Sequence, residues 1–218
     1  MPTRLRLEPY LEQRALWPAA GRHILAQYDD ETVVVYQAYR PEIGLDAAAH
    51  GRFGPAWSRD RMSWIKPNFL WMMYRCGWAT KEGQEVVLAL WLRRAGFDEL
   101  LASAVPSSHD PRRYPEHADW KRAVARSDVR LQWDPDHAPG GTPETRRAVQ
   151  LGLRGDTLRR FADTWLLAVE DITPLCRAQH PHAQNPYREL LTPAERVYPV
   201  TDPAAITALG VDPWSPRA

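Results

Sequence analysis

TVVVYQAYRPEIGLDAAAHG, residues 32–51, decides how the chain is read. Its first eight residues, Thr32–Tyr39, are β-branched and aromatic and follow the turn-forming pair Asp29-Asp30, which predicts a mostly buried strand. Pro41 suits the first turn of a helix, Glu42 favours its dipole and Gly51 supplies a stop, so residues 42–50 are expected to be a short helix. Further on, EVVLALWLRR (85–94) and RRAVQLGL (146–153) read as buried strands. VRLQW (129–133) alternates as a half-buried strand does, and WLLAVEDIT (165–173) reads as another. Helices are expected in FLWMMYRCGW after Pro67-Asn68, in FDELLASAV, around 120–126, and from Gly155-Asp156 through Phe161. Residues 57–65, 106–118 and DPDHAPGGTPET read as loops. Strands clustered late in the chain, with helices on one side, predict an α+β fold with a mixed or antiparallel sheet core and flanking helices. A doubly wound parallel sheet is disfavoured, and no G-x-G-x-x-G occurs.

The 218 residues suffice for one sizeable core, and the chain is read as a single domain, 1–218. Its core is expected over about 20–180, with a helical wrap over 174–218 that holds eight Pro residues. Thr192 and Asp202, each followed by Pro, are expected N-caps, and Thr192-Pro-Ala-Glu195 has capping-box spacing.

Composition narrows the function classes. A net charge of +1 argues against a protein whose main task is coating nucleic acid, though a local basic patch is compatible with it. The two Cys, Cys76 and Cys176, are a hundred residues apart, so no disulfide framework or zinc knuckle follows. The first fifteen residues lack the apolar run of a secretory signal, and no stretch of 18 apolar residues occurs. A cytoplasmic protein with no membrane partner is expected. The P-loop, H-E-x-x-H and G-x-S-x-G signatures are missing, and His180-Pro-His182 in the Pro-rich tail reads as two loop histidines, so no metal is expected. Ten Trp residues are unusual, and most are expected in the core.

The segment carrying most chemistry is WIKPNFLWMMYRCGWATKEGQE (64–85). Lys66 lies just before a helix N-terminus, an arrangement that suits an anion such as a phosphate, and Arg75 lies near the end of the same helix. Arg22, Arg146 and Arg147 are further candidates for phosphate contacts, and Glu170-Asp171 for a carboxylate or a helix cap. An alternative is an RNA or single-stranded nucleic-acid binding module without catalysis, in which Trp57, Trp64 and Trp78 stack bases while Arg59, Arg61 and Lys81 neutralise backbone. A third possibility is a non-enzymatic interaction protein whose Trp residues are core.

YDDETVVVYQAYRPEIG, WIKPNFLWMMYRCGWATKEGQE, LQWDPDH and RRAVQLGLRG resemble the family catalogued as domain of unknown function 4291, over roughly residues 20–180. That family carries no established activity to transfer. A second resemblance is to ADP-ribosyltransferases, which set a His or Arg on an early strand, an aromatic or Ser after a second strand, and a Glu or Gln on a later one. It implies catalytic positions at Gln37, Tyr74 (stacking on nicotinamide) and Gln150, with NAD as cofactor contacted by Arg22, Tyr39, Trp64, Lys66 and Arg75. The implied partners are a nucleotide or dinucleotide and a nucleic-acid or protein acceptor. Gln at both ends of the triad departs from that family, since an amide stabilises developing positive charge less than a carboxylate does.

Overall fold

The computed structural model describes residues 4–215. In chain order its elements are β1 (Leu7–Pro9), α1 (Tyr10–Leu16), β2 (Gly21–Arg22), β3 (Leu25–Ala26), β4 (Thr32–Tyr39), α2 (Pro41–His50) and β5 (Ser63–Ile65). Then come α3 (Phe69–Cys76), β6 (Val86–Arg93), α4 (Arg94–Ala102), β7 (Val105–Pro106), α5 (His117–Arg126), β8 (Val129–His137), β9 (Pro143–Leu153) and α6 (Gly155–Arg160). A π-helical turn, Phe161–Trp165, leads into β10 (Leu166–Asp171), followed by α7 (Thr173–Gln179), β11 (Leu191–Pro193), β12 (Arg196–Val197) and α8 (Pro203–Leu209). The strand and helix read from residues 32–51 are β4 and α2, and Gly51 closes α2 in the left-handed conformation at φ 67°.

Two sheets carry this α+β fold. In the first, β6 lies between β4 and β10, all antiparallel. In the second, β9 pairs antiparallel with β8 and β5 and parallel with β2, and β7 lies parallel on β8. The sheets join where Tyr36 and Lys66 exchange backbone hydrogen bonds of 2.7 and 3.2 Å.

Burial explains the two sequence patterns. The run VVLALWL in β6 is continuous because both of its faces are covered. Leu88, Leu90 and Leu92 share a core with Val33, Val35, Val149, Leu151 and Leu153, which come from both sheets. Val87, Ala89 and Trp91 pack instead with Tyr36 and with Phe69, Met72 and Met73 of α3. In β9 only alternate residues enter the core, so Gln150 and Gly152 face the other way, beside Gln132 and Asp134 of β8. Close packing also needs small residues: a Cβ on Gly96 of α4 would sit 2.4 Å from the Trp165 ring. Trp17, Trp57, Trp71, Trp78, Trp91 and Trp165 are buried, the core role expected for most of the ten.

Three expectations are corrected. DPDHAPGGTPET is no long connection: β8 continues to His137, β9 starts at Pro143, and only the turn 138–142 intervenes, closed by Ala138 N–H to Thr142 O at 2.9 Å. Pro135 is tolerated because the ladder is irregular just after it, where a missing N–H breaks nothing. Residues 57–65 end in a strand, β5, because Ser63, Trp64 and Ile65 pair with β9. Thr192 is not a helix cap but lies in β11 opposite Glu8, where its hydroxyl accepts from Gln13 Nε2 at 2.9 Å. Asp202 does cap α8, accepting from Ala204 N at 2.9 Å. The Pro-rich segment packs on the N-terminal part of the chain through β1 with β11 and β3 with β12. Among the described residues no helix is long and apolar enough to cross a membrane.

Candidate functional site

A cleft of about 660 Å³ opens at the junction of the two sheets, bounded by the end of β4, by β5, by α3 and by β9. Gln37, Tyr39, Trp64, Lys66, Arg75 and Gln150, scattered over 114 positions of sequence, all line it. Tyr74 does not. One residue along a helix turns about 100°, so while Arg75 faces the cleft, Tyr74 stacks on His137 with ring centres 3.5 Å apart. Arg22 is also elsewhere, on β2 at the edge of the second sheet, where it borders a different cleft.

Each side chain is held by identifiable partners. Lys66 is fixed by its backbone exchange with Tyr36 and is only 5% exposed, yet its side chain reaches the cleft. Helix α3 begins three residues later. Its first donors are already taken: Asn68 Oδ1 accepts from Trp71 N at 2.6 Å, and Glu195 accepts from Phe69 N at 2.6 Å and from Asn68 Nδ2 at 3.1 Å. The α3 N-terminus, expected from sequence to suit a phosphate, is therefore satisfied by Glu195 of the C-terminal segment. Burial pushes the Glu195 carboxyl well above the usual range, opposed by the Phe69 N–H.

The two glutamines are locked in a common way. Gln37 Nε2 donates to Ser63 Oγ at 2.7 Å and to Trp64 O at 3.1 Å, which leaves its buried Oε1 without a partner. Gln150 Nε2 donates to Asp134 Oδ2 at 2.7 Å, so its Oε1 is the atom still free to accept. Asp134 Oδ1 accepts from Gln132 Nε2 at 2.8 Å, so one carboxylate grips both amides of a directly opposed strand pair. Tyr39 Oη accepts from Trp57 Nε1 at 2.9 Å and lies 3.1 Å from Ser63 Oγ, and burial raises its phenol to about 12. Trp64 lies against Gly152, where a Cβ would come within 3.0 Å of its ring.

The cleft is electropositive. Arg40, Arg61, Lys66 and Arg75 line it, and among the described residues no Asp or Glu does. Arg40 pairs with Glu42 at 3.3 Å, whereas the cationic groups of Arg61, Lys66 and Arg75 carry no hydrogen bond or ion pair. Burial, reinforced by the Arg75 guanidinium and opposed by Asp134, lowers the Lys66 amine to about 8.

Other sequence candidates serve the fold. Arg146 is turned inward: its Nη2 lies 2.5 Å from Asp136 Oδ2, its Nη1 donates to Pro18 O at 2.7 Å, and its guanidinium lies 5.3 Å over the Trp17 ring. Asp171 caps the start of α7 by accepting from Thr173 N at 2.9 Å, the plainer of the two roles weighed for it. His180 stacks on Trp78, and His182 lies 3.1 Å from Glu189. Trp57 is buried and stacked on Phe53 at 4.3 Å, Trp78 donates to Pro139 O at 3.2 Å, and Arg59 is held by Asp163 at 2.6 and 2.8 Å.

Sequence reading missed Asp134, Gln132, Ser63 and Glu195. The first two were legible in principle, since Gln132 lies inside VRLQW and Asp134 continues its alternation. The apparent stop at Pro135 hid Asp134, which was read as the start of a loop.

Fold and site together define an α+β domain with a basic, aromatic-rimmed cleft where its two sheets meet. A family model described as Domain of unknown function (DUF4291) matches residues 23–198, and the chain belongs to that family. No curated protein matches it.

Proposed function

We propose that the cleft binds a diphosphate-bearing nucleotide such as NAD or ADP-ribose, and that the protein is a cytoplasmic ADP-ribosyltransferase-like enzyme acting on a nucleic-acid or protein acceptor. One observation carries this reading: two locked amides, each with a side-chain oxygen lacking a partner, share a cleft with three cations that also lack partners. The oxygens of Gln37 and Gln150 call for donors such as ribose hydroxyls, and Arg61, Lys66 and Arg75 call for anionic oxygens such as phosphates. A nucleotide supplies both sets, and Trp64 or Tyr39 offers an aromatic surface for a ring.

In the transfer itself, the bond from the ribose anomeric carbon to nicotinamide nitrogen breaks and nicotinamide leaves with the bonding pair. The acceptor's lone pair forms the new bond and its proton goes to solvent. Gln150 and Gln37 hold the ribose, and as neutral amides they stabilise the positive charge at the anomeric carbon less than a carboxylate does. Turnover is accordingly expected to be slow. The binding-module alternative draws less support, because Trp57 and Trp78 are buried and Arg59 is neutralised by Asp163.

A thermal-shift titration with NAD, ADP-ribose, ATP and a mixed RNA oligonucleotide tests the proposal. Saturable stabilisation by NAD and ADP-ribose that persists in high salt is the expected result. A salt-sensitive response to RNA with none to either dinucleotide compound would instead favour the binding module.

A further inference from the structure

We infer that Lys66 is a carbonyl-reactive amine, which forms an imine with the open-chain aldehyde of a phosphorylated ribose bound in the sheet-junction cleft. In the nucleotide reading above, on which the choice of ligand rests, that group is the terminal ribose of ADP-ribose. The covalent step itself rests on the residues around the amine.

Residue choice is the first argument. Only three of the 28 basic residues are Lys, and two of them, Lys81 and Lys121, are exposed. Lys66 is 5% exposed, yet it lines the cleft beside Arg61 and Arg75. A guanidinium matches phosphate well and cannot lose its proton to become a nucleophile. A cleft that needed one more cation and nothing else would be served by Arg, the usual cation of this chain. The second argument is that no hydrogen bond or ion pair engages the amine, so its lone pair is free whenever it is uncharged. Register is the third. Strand β5 pairs with β9 up to Ile65 and Leu151, and one further step brings Lys66 beside Gln150, which lines the same cleft. Gln150 Oε1, free to accept from a sugar hydroxyl, can then hold the ribose against the amine.

The chemistry balances without a further reactant. With the amine brought down to about 8, roughly a tenth of it is uncharged at pH 7, and desolvation beside a second cation makes a lysine nucleophilic. The Lys66 Nζ lone pair attacks the aldehyde carbon, and the N–C bond forms as the carbonyl π pair moves to oxygen. Both amine protons pass to that oxygen, which leaves as water while the C=N bond closes. The Tyr39 and Ser63 hydroxyls offer the departing oxygen a donor. Trp57 Nε1 donates to Tyr39 Oη and Gln37 Nε2 to Ser63 Oγ, and the two hydroxyls lie 3.1 Å apart. One hydroxyl hydrogen therefore joins them and the other is left for a ligand. Arg61 and Arg75 hold the phosphate oxygens throughout.

Reductive trapping tests this on the full chain. The protein is incubated with ADP-ribose, ribose 5-phosphate or plain ribose in sodium cyanoborohydride, whose hydride turns the imine into a stable secondary amine, and peptide mass spectrometry locates the label. ADP-ribose is expected to label Lys66 about tenfold or more faster than Lys81 or Lys121, and plain ribose to show no such preference. Lys66→Arg and Lys66→Met should each lose the preferred label while Lys81 and Lys121 react as in the wild type, with thermal unfolding as the control for the fold. Should the Arg variant fail to fold, the Met variant carries the comparison. Even labelling of the three lysines, or Lys66 left unlabelled by every sugar, would overturn the covalent proposal. A thermal shift by ADP-ribose with Lys66 unlabelled would overturn it too, while the nucleotide reading stands. Label on Lys66 from ribose 5-phosphate, with no thermal shift by ADP-ribose, would uphold the reactive amine and sink the nucleotide reading instead.

Discussion

Replacing Lys66 with Met is expected to make the protein more resistant to urea at neutral pH while abolishing its response to ADP-ribose. The amine is almost wholly buried, has no carboxylate in contact, and titrates near 8 rather than near its ordinary 10.5, chiefly through burial. Below pH 8 it is charged in both folded and unfolded protein, and the folded state bears the full cost of the buried charge. Between about 8 and 10.5 the folded protein loses the proton while the unfolded chain keeps it, so stability rises with pH across that window and levels off above it. A shift of this size corresponds to about 3 kcal/mol, an upper figure for what Met would recover at pH 7. Urea unfolding at pH 7 and pH 10 checks both parts: the variant should lead clearly at pH 7 and barely at pH 10. A variant less stable than wild type at pH 7 would mean that the ammonium group holds the sheet junction together, a structural role instead of a ligand-binding one. The expected combination, stability gained and binding lost, marks a residue kept for function at the expense of the fold.

Arg146→Met has the largest expected destabilisation. Its partner Asp136 is 1% exposed, and without the guanidinium it keeps only the His137 N–H at 2.8 Å. Leaving one member of a buried pair unpaired typically costs about 3–5 kcal/mol. The same side chain also ties β9 to Pro18 and covers Trp17, so the loss should reach the packing of the N-terminal segment. Denaturant midpoints for Arg146→Met, Asp136→Leu and the double variant separate the contributions. The double variant should be the more stable of the two that lack Arg146, because it removes the orphaned carboxylate along with its partner. Additive losses would show that the two charges do not depend on each other.

What the sequence disclosed follows from where local and long-range forces agree. Strand β4, helix α2 and helix α3 were legible because turn residues, a Pro at N1 and left-handed glycines mark their ends, and because their apolar patterns match their burial. The short pairings β1 with β11 and β3 with β12 were not. They join residues more than 160 positions apart, and two- or three-residue strands have no periodicity to read. Thr192 failed as a cap for the same reason: its capping-box spacing is a local signal, overridden by its pairing with Glu8 and its bond from Gln13. In the site, Lys66, Arg75, Gln37 and Gln150 could be singled out by type and position. Which way Tyr74 turns on α3 depends on His137, a residue the sequence reading had assigned to a loop. Glu195 was invisible as the partner of α3 because the contact spans 126 residues of chain.

The most direct test of the central claim is a calorimetric titration of ADP-ribose into wild-type and Gln150→Ala protein in one buffer, with thermal unfolding of both as the control. Saturable one-to-one binding that weakens tenfold or more in the variant, with its melting temperature in the absence of ligand within a few degrees of wild type, is the predicted result. No binding heat in the wild type, or equal affinity in the two proteins, would contradict it.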